Sequence, residues 1–127
     1  MGFGADMDKF RNKVNDKTRK TVLWTCFNMS RDIIDLTPVK DGFAKNNWNS
    51  TIRNPDRTTH DIADKEGTLS FNKLNSFAPK AYAEIFYIVN SMPYIKRLEN
   101  GWSKKNPEGM VMKTVARFKN IVKKAPK

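Results

Sequence analysis

Nine side chains between Met7 and Leu36 recur at steps of three or four: Met7, Phe10, Val14, Thr18, Val22, Cys26, Met29, Ile33 and Leu36. Those steps match the 3.6-residue turn of an α-helix. They predict one helix over about residues 6–36, roughly 45 Å long at 1.5 Å per residue. The whole chain has 127 residues, which suits a single domain, commonly ~100–150 residues. A helix longer than the core of its own domain leans on something else, and a neighbouring subunit is the simple candidate. Leu23, Phe27 and Ile34 widen the stripe, so the second half of the helix should be the more deeply buried. Asp6 is the expected N-cap. Pro38 sets the stop, because it disfavours helical geometry at Thr37 and has no N–H to donate.

Beyond Pro38 the period changes. Asp41-Gly42 marks a turn. Trp48, Ser50 and Ile52 alternate with Asn49, Thr51 and Arg53, the period of a strand closed by Asn54-Pro55-Asp56. Residues 54–68 are polar and irregular and read as a mobile loop. Leu69 and Phe71 suggest a short strand, and Asn72 to Lys80 is ambiguous. Ile85–Val89, rich in aromatic and β-branched residues, reads as a buried strand ended by Ser91-Met92-Pro93. The last element is a helix over about residues 107–124, with Asn106 as cap and Pro107 in its first turn. Val111, Val115, Phe118 and Val122 form an apolar seam expected to face the core, which leaves Lys113, Arg117 and Lys124 on the opposite, basic face. Helix, strands and loop over about residues 44–100, then helix: the order predicts an α+β fold with a small, mostly antiparallel sheet.

The charge is strong and uneven. The chain carries 24 Lys+Arg against 13 Asp+Glu, a formal net charge of +11. Residues 1–64 hold 11 basic and 9 acidic side chains, and residues 65–127 hold 13 and 4. A basic half behind a balanced half points to an anionic partner, or to a lysine-rich face that serves solubility. No apolar run approaches the roughly 20 residues a membrane span requires, so no membrane association is expected. The first residues lack the basic start and apolar stretch of a secretory signal. The single Cys26 excludes an internal disulfide and a multi-cysteine metal site.

Little in the sequence suggests catalysis. His60 is the only histidine. With Asp61 and Asp64 it imitates part of a metal-bound nuclease site, but in the most polar stretch of the chain, where an exposed loop is expected and a rigid cradle is not. Cys26 falls on the apolar stripe and reads as a small core residue. Asn28-Met29-Ser30 and Asn49-Ser50-Thr51 match the N-glycosylation pattern, the first inside a helix, and both read as chance. No enzyme activity, metal or cofactor is expected. Nucleic-acid binding through Lys104, Lys105, the basic helix face and Lys123-Lys124 is the alternative, salt-sensitive and blind to sequence. Its weakness is that the aromatics sit on predicted core faces, which leaves few for base stacking.

Two segments carry a family resemblance. In the first, Asn90, Pro93-Tyr94, Leu98-Glu99, Gly101, Ser103, Pro107, Gly109, Met110 and Val111 follow in order. In the second, Thr37-Pro38-Val39-Lys40-Asp41-Gly42 precedes Trp48. Together they resemble the tail-completion and neck proteins of long-tailed bacteriophages, including minor tail protein Z-like proteins, through the pattern Asn, Pro-Tyr, Leu-Glu-x-Gly, Ser, Pro-x-Gly-Met-Val and the turn Thr-Pro-Val-x-x-Gly. Residues 54–80 lie outside it. The local chemistry agrees: Gly42 and Gly101 suit turns with positive φ, Pro93 ends a strand, and Tyr94 offers a ring to pack and a hydroxyl to anchor.

The resemblance implies a structural virion protein at the head-proximal end of the tail, assembled in the host cytoplasm, that completes the tail or joins it to the head connector. It implies a ring, six-membered to match the tail tube, with the tube protein, the connector proteins and its own copies as partners and transient contact with genomic DNA. Candidate interface residues are Tyr94, Lys96, Arg97, Glu99, Trp102, Lys104, Lys105, Lys113 and Arg117. Pro38, Gly42, Pro93, Gly101, Pro107 and Gly109 are the candidate fold-defining turns.

Overall fold

The computed structural model of the protein describes residues 3–76, 85–101 and 109–125. Helix α1 (Phe3–Leu36) is followed by a short 3-10 turn (Lys45–Asn47), strand β1 (Asn49–Ile52), helix α2 (Thr68–Ser76), strand β2 (Phe86–Val89) and helices α3 (Ile95–Glu99), α4 (Val111–Ala116) and α5 (Phe118–Lys123). The fold is α+β, as the element order predicts. The sheet is two antiparallel strands, with Asn49 opposite Val89 and Ile52 opposite Phe86. A two-stranded ribbon is marginal in water and needs packing against helices. Here α2 lies against β1, and α1 packs against α2, α4 and α5.

Helix α1 has 34 residues, about 51 Å at 1.5 Å per residue. It starts at Phe3, so Asp6 lies within the helix and is not its cap. Among the described side chains of the helix, the buried ones lie in the C-terminal half, where the stripe widens. Residues 16–20 are all exposed, while Thr25, Ser30, Ile33 and Ile34 are buried. The helix ends where Pro38 requires. Thr37 then turns its hydroxyl back onto the Ile33 carbonyl (2.8 Å), which satisfies one of the carbonyls left open at a helix end.

Ile33, Ile34, Trp48, Leu74 and Met110 form the core, with Phe27, Leu36, Phe71, Phe86, Ile88, Ile95 and Leu98 packed around it. Burying each aliphatic member is worth about 1.5–3 kcal/mol. Trp48 ties three elements together. Its indole N–H donates to the Thr37 hydroxyl (2.8 Å) and its backbone N–H to the Ser70 hydroxyl (2.9 Å). Ser70 in turn donates to the Lys45 carbonyl (2.7 Å).

Three sequence expectations are corrected. Leu69 and Phe71 do not form a strand but belong to α2. That helix buries Ser70 and Leu74, four apart, and leaves Leu69 exposed. Asn72 to Ser76 continues the same helix, and residues 77–80 lie outside the described part. The strand read as buried over Ile85–Val89 runs from Phe86 and is only half-buried, with Ile85 64% exposed. The expected single C-terminal helix is two, broken at Arg117 (φ −90°, ψ 0°).

Residues 54–66 have no helix or strand, as expected, yet the segment is not loose. Three buried asparagines hold it. Asn46 donates to the Ile62 carbonyl (2.9 Å) and accepts from the Leu69 N–H (2.9 Å). Asn47 donates to the carbonyls of Phe43 and His60 and accepts from the His60 N–H (2.9 Å). Asn49 donates to the carbonyls of Asp56 and Thr58. Each carboxamide acts as a substitute peptide group for backbone that has no ladder partner. Asp56 adds an ion pair with Lys73 and accepts from the N–H and hydroxyl of Thr58. The Lys73 bond first, and the Thr58 bonds after it, hold the Asp56 carboxyl well below the usual carboxylate range.

A carboxyl depressed in the folded state stabilises it fully above its unfolded pKa of about 3.9, and the contribution fades as pH falls below that. Lys73→Gln should therefore lower the urea midpoint at pH 7 relative to the unsubstituted protein, and the difference should shrink steadily as pH falls from 4 to 2. A difference that stays constant over that range would assign the loss to packing instead. The turn at Gly42 (φ 92°) is a second test, since a Cβ there would lie 2.4 Å from the Asp64 carbonyl carbon. Gly42→Ala should cost about 2–4 kcal/mol in urea unfolding, from backbone strain plus displacement of the loop.

Candidate functional site

The segment that carries the family pattern folds back on the core as one hydrogen-bonded unit. Asn90 follows β2 and donates to the Ala44 carbonyl (2.8 Å), while its own side-chain oxygen accepts from the Met92 N–H (3.1 Å). That bond turns the chain, and the Ile95 N–H closes the turn on the Met92 carbonyl (3.1 Å) around exposed Pro93. Tyr94 precedes α3 and is half-buried. Burial pushes its phenol up, the nearby Asp41 adds to this, and a hydrogen bond with the Ala44 backbone opposes it. Asn90 and Tyr94 thus both anchor to Ala44, behind the 3-10 turn. Gly101 (φ 87°) ends α3, donating to the Leu98 carbonyl (3.2 Å).

Glu99 accepts three backbone N–H groups at the start of α4. Met110 and Val111 donate to Oε1 at 2.9 Å, and Met112 to Oε2 at 3.0 Å. These are the donors that a helix start leaves without partners. Gly109 (φ 81°) makes the contact possible, because a Cβ there would lie 2.3 Å from the Glu99 carbonyl oxygen. Glu99, read from sequence as an interface residue, is therefore an internal cap. Tyr94 likewise faces its own chain.

The cap also corrects the orientation of the C-terminal helices. With Met110 held at 0% exposure, the buried side of α4 and α5 consists of Met110, Thr114 and Ile121. The seam expected to face the core points outward instead. Val111 is 37% exposed, Met112 69%, Val115 57% and Phe118 47%. Arg117, Lys119, Lys123 and Lys124 are exposed beside it, and Lys113 is half-buried. Lys113 joins Lys45 and Asp35 in lining a shallow cleft of about 280 Å³ at the end of α1, with Leu36, Thr37, Pro38 and Val39. Its cations lie near the carbonyl end of α1, which favours positive charge.

Lys96 and Arg97 are exposed on α3. Trp102, Lys104, Lys105 and Pro107, with Ser103, lie outside the described residues. So the structure brings Lys113 and Arg117 to one helical unit with the apolar stripe and turns Tyr94 and Glu99 inward.

Two of the nuclease-like trio, His60 and Asp64, have structural work. His60 is half-buried rather than an exposed loop residue. Its Nε2 pairs with the Asn46 carbonyl (2.8 Å) and its Nδ1 accepts from the Ile62 N–H (3.2 Å). The Asp64 carboxylate accepts from the N–H groups of Glu66 and Thr68, and a hydrogen bond with the Thr68 side chain first, with the Glu66 N–H after it, lowers its pKa. Asp61 is exposed. Among the described residues no group of three or more His, Cys, Asp and Glu is placed to hold a metal, and no helix is long and apolar enough to cross a membrane. Cys26 is half-buried with its thiol pKa raised by burial, the opposite of what activates a thiol. Of the glycosylation-like asparagines, Asn28 donates to the Trp24 carbonyl (2.8 Å) and Asn49 is buried.

No protein-family model, curated protein or solved structure matches the chain. The family resemblance rests on the quoted residues alone.

The two readings of Glu99 separate by mutation. Glu99→Ala should cost about 1–2 kcal/mol in urea unfolding, the range for losing a helix cap, and Glu99→Gln, which keeps one acceptor oxygen, should fall between. A purely interfacial role would leave the isolated protein as stable as before in both variants.

Proposed function

We propose that this protein is a non-enzymatic component of a phage virion at the head-proximal end of the tail. Identical copies form a ring, six-membered to match the tail tube, that completes the tail, joins it to the head connector, or does both. The carrying observation is helix α1: about 51 Å long at 1.5 Å per residue, with Thr25, Ser30, Ile33 and Ile34 buried in its second half and every residue from 16 to 20 exposed. A ring of one chain requires heterologous contacts, one face of a subunit meeting a different face of the next. The exposed stretch of α1 over residues 16–20 is one face suited to such a contact.

The quoted family pattern supports the same reading. Asn90, Leu98, Glu99, Gly101, Gly109 and Met110 set the path of the chain from β2 to α4. A protein sharing that pattern would share this framework, while the exposed surfaces adapt to adjoining proteins. The basic second half then faces an acidic partner of the tube or connector.

Charge reversal is the test. Lys113→Glu with Arg117→Glu should leave the circular dichroism spectrum and urea midpoint nearly unchanged, yet electron micrographs of particles assembled with the variant should show heads and tails apart. Normal particles would reduce the basic face to a solvated surface. Duplex DNA titrated against salt tests the alternative: a steep log–log slope with tight binding at low salt would replace the assembly reading with DNA binding.

A further inference from the structure

Met112, Val115 and Phe118 are among the most exposed large apolar side chains of the described residues, and they lie together on two consecutive short helices. Exposed apolar residues scattered singly need no explanation, but a contiguous stripe marks an interaction surface. Val111, Val115, Phe118 and half-buried Val122 follow at steps of 4, 3 and 4, the ridge spacing that a second helix meets when it packs alongside.

The charges around the stripe select what lies on it. From Gly109 to Ala125 there are five basic side chains and no acidic one. Glu99, at the start of α4, is occupied by the N–H groups of Met110, Val111 and Met112, and Asp35 lies in the cleft beside Lys113. A second copy of this chain is a poor match. The exposed stretch of α1 over residues 16–20 carries Lys17, Arg19 and Lys20 against Asp16 alone, so it would bring cations to cations.

We propose that the outward face of α4 and α5 is a docking site for an acidic amphipathic helix of an adjoining protein. The apolar side of that helix covers Val115 and Phe118, and its carboxylates reach the flanking lysines. Unbranched Met112 adapts to the partner's shape. The partner's setting rests on the assembly reading above. The chemistry of the site rests on exposure and charge alone, so the two can fail separately.

The probe is an 18-residue helical peptide with Leu at every third or fourth position and Glu elsewhere, followed by fluorescence anisotropy at 150 mM NaCl. Two control peptides replace all Glu by Lys or all Leu by Ser. Saturable binding of the acidic peptide, at least tenfold weaker for each control, supports the proposal. So does at least a tenfold loss with Val115→Ser/Phe118→Ser, provided the urea midpoint of that variant is unchanged. Amide shift changes in the protein should centre on residues 109–125. Absence of binding, equal binding of either control, or insensitivity to the double substitution overturns it. Sedimentation that shows self-association through this face, or flotation with vesicles of three parts phosphatidylcholine to one part phosphatidylglycerol that the double substitution abolishes, overturns it in favour of another occupant. If the peptide binds while the charge-reversal particles assemble normally, the docking site stands and the assembly role falls.

Discussion

Backbone that leaves regular structure must still find hydrogen-bond partners, and this fold meets that demand with three closely spaced carboxamides. Asn46, Asn47 and Asn49 are buried at 1%, 1% and 6% exposure, a position polar side chains hold only when their bonds are made. The bonds go to backbone groups of Phe43, Asp56, Thr58, His60, Ile62 and Leu69. A long irregular crossover from β1 to α2 is thereby fixed without a strand of its own. Fixing it places α2, and with it Leu74 and Ser70, against Trp48 and the end of α1. Loss of one such carboxamide strands several polar groups at once, each costing about 1–3 kcal/mol when buried unpaired.

A core set in this way is small relative to the elements it supports. Ile33 and Ile34 bring in only the last turns of α1, and Met110 brings in only the start of the C-terminal helices. Residues 16–20 of α1 and the outer side of α4 and α5 are left at the surface. Those surfaces are by-products of where the core stops, and they are available for partners. Exposed apolar side chains there cost the isolated protein solubility, which its net charge of +11 offsets by keeping copies apart.

The elements were legible in the sequence where one periodic signal dominated. The stripe from Met7 to Leu36 gave α1, and its widening at Leu23, Phe27 and Ile34 gave the buried half. The alternation from Trp48 to Arg53 gave β1. Errors came where two periods fit the same residues. Leu69 and Phe71 alternate like a strand, but Ser70 and Leu74 share a helical face, and the Ser70 hydroxyl between Trp48 and Lys45 is what buries it. In the last helices, Val111, Val115 and Phe118 are the more hydrophobic set, yet the buried set is Met110, Thr114 and Ile121. Hydrophobic pattern fixes a period and not a phase. The phase is set by Glu99 and Gly109, which clamp the first N–H groups and leave Met110 pointing inward. That clamp joins residues ten or more apart across a segment with no periodic signal, so no local pattern announces it. Lys45-Asn46-Asn47-Trp48-Asn49 was a readable clue of another kind: a dense run of carboxamides beside a polar stretch that had to satisfy its backbone somewhere.

Charge decides when the exposed stripe can be covered. Treated as point charges of +11 whose centres lie about 20 Å apart in water, two copies repel by roughly 25 kcal/mol without screening. At 0.15 M salt, with a Debye length of about 8 Å, the repulsion falls to roughly 2 kcal/mol. That is comparable to burying one large apolar side chain, about 1.5–3 kcal/mol. Self-association through the stripe is therefore strongly opposed at low salt and close to balanced at physiological salt. A partner carrying carboxylates reverses the sign of the long-range term and keeps the apolar gain. The same side chains that make the face adhesive are thus held in reserve by net charge until an acidic surface meets them, and coverage by the correct neighbour is favoured over coverage by another copy.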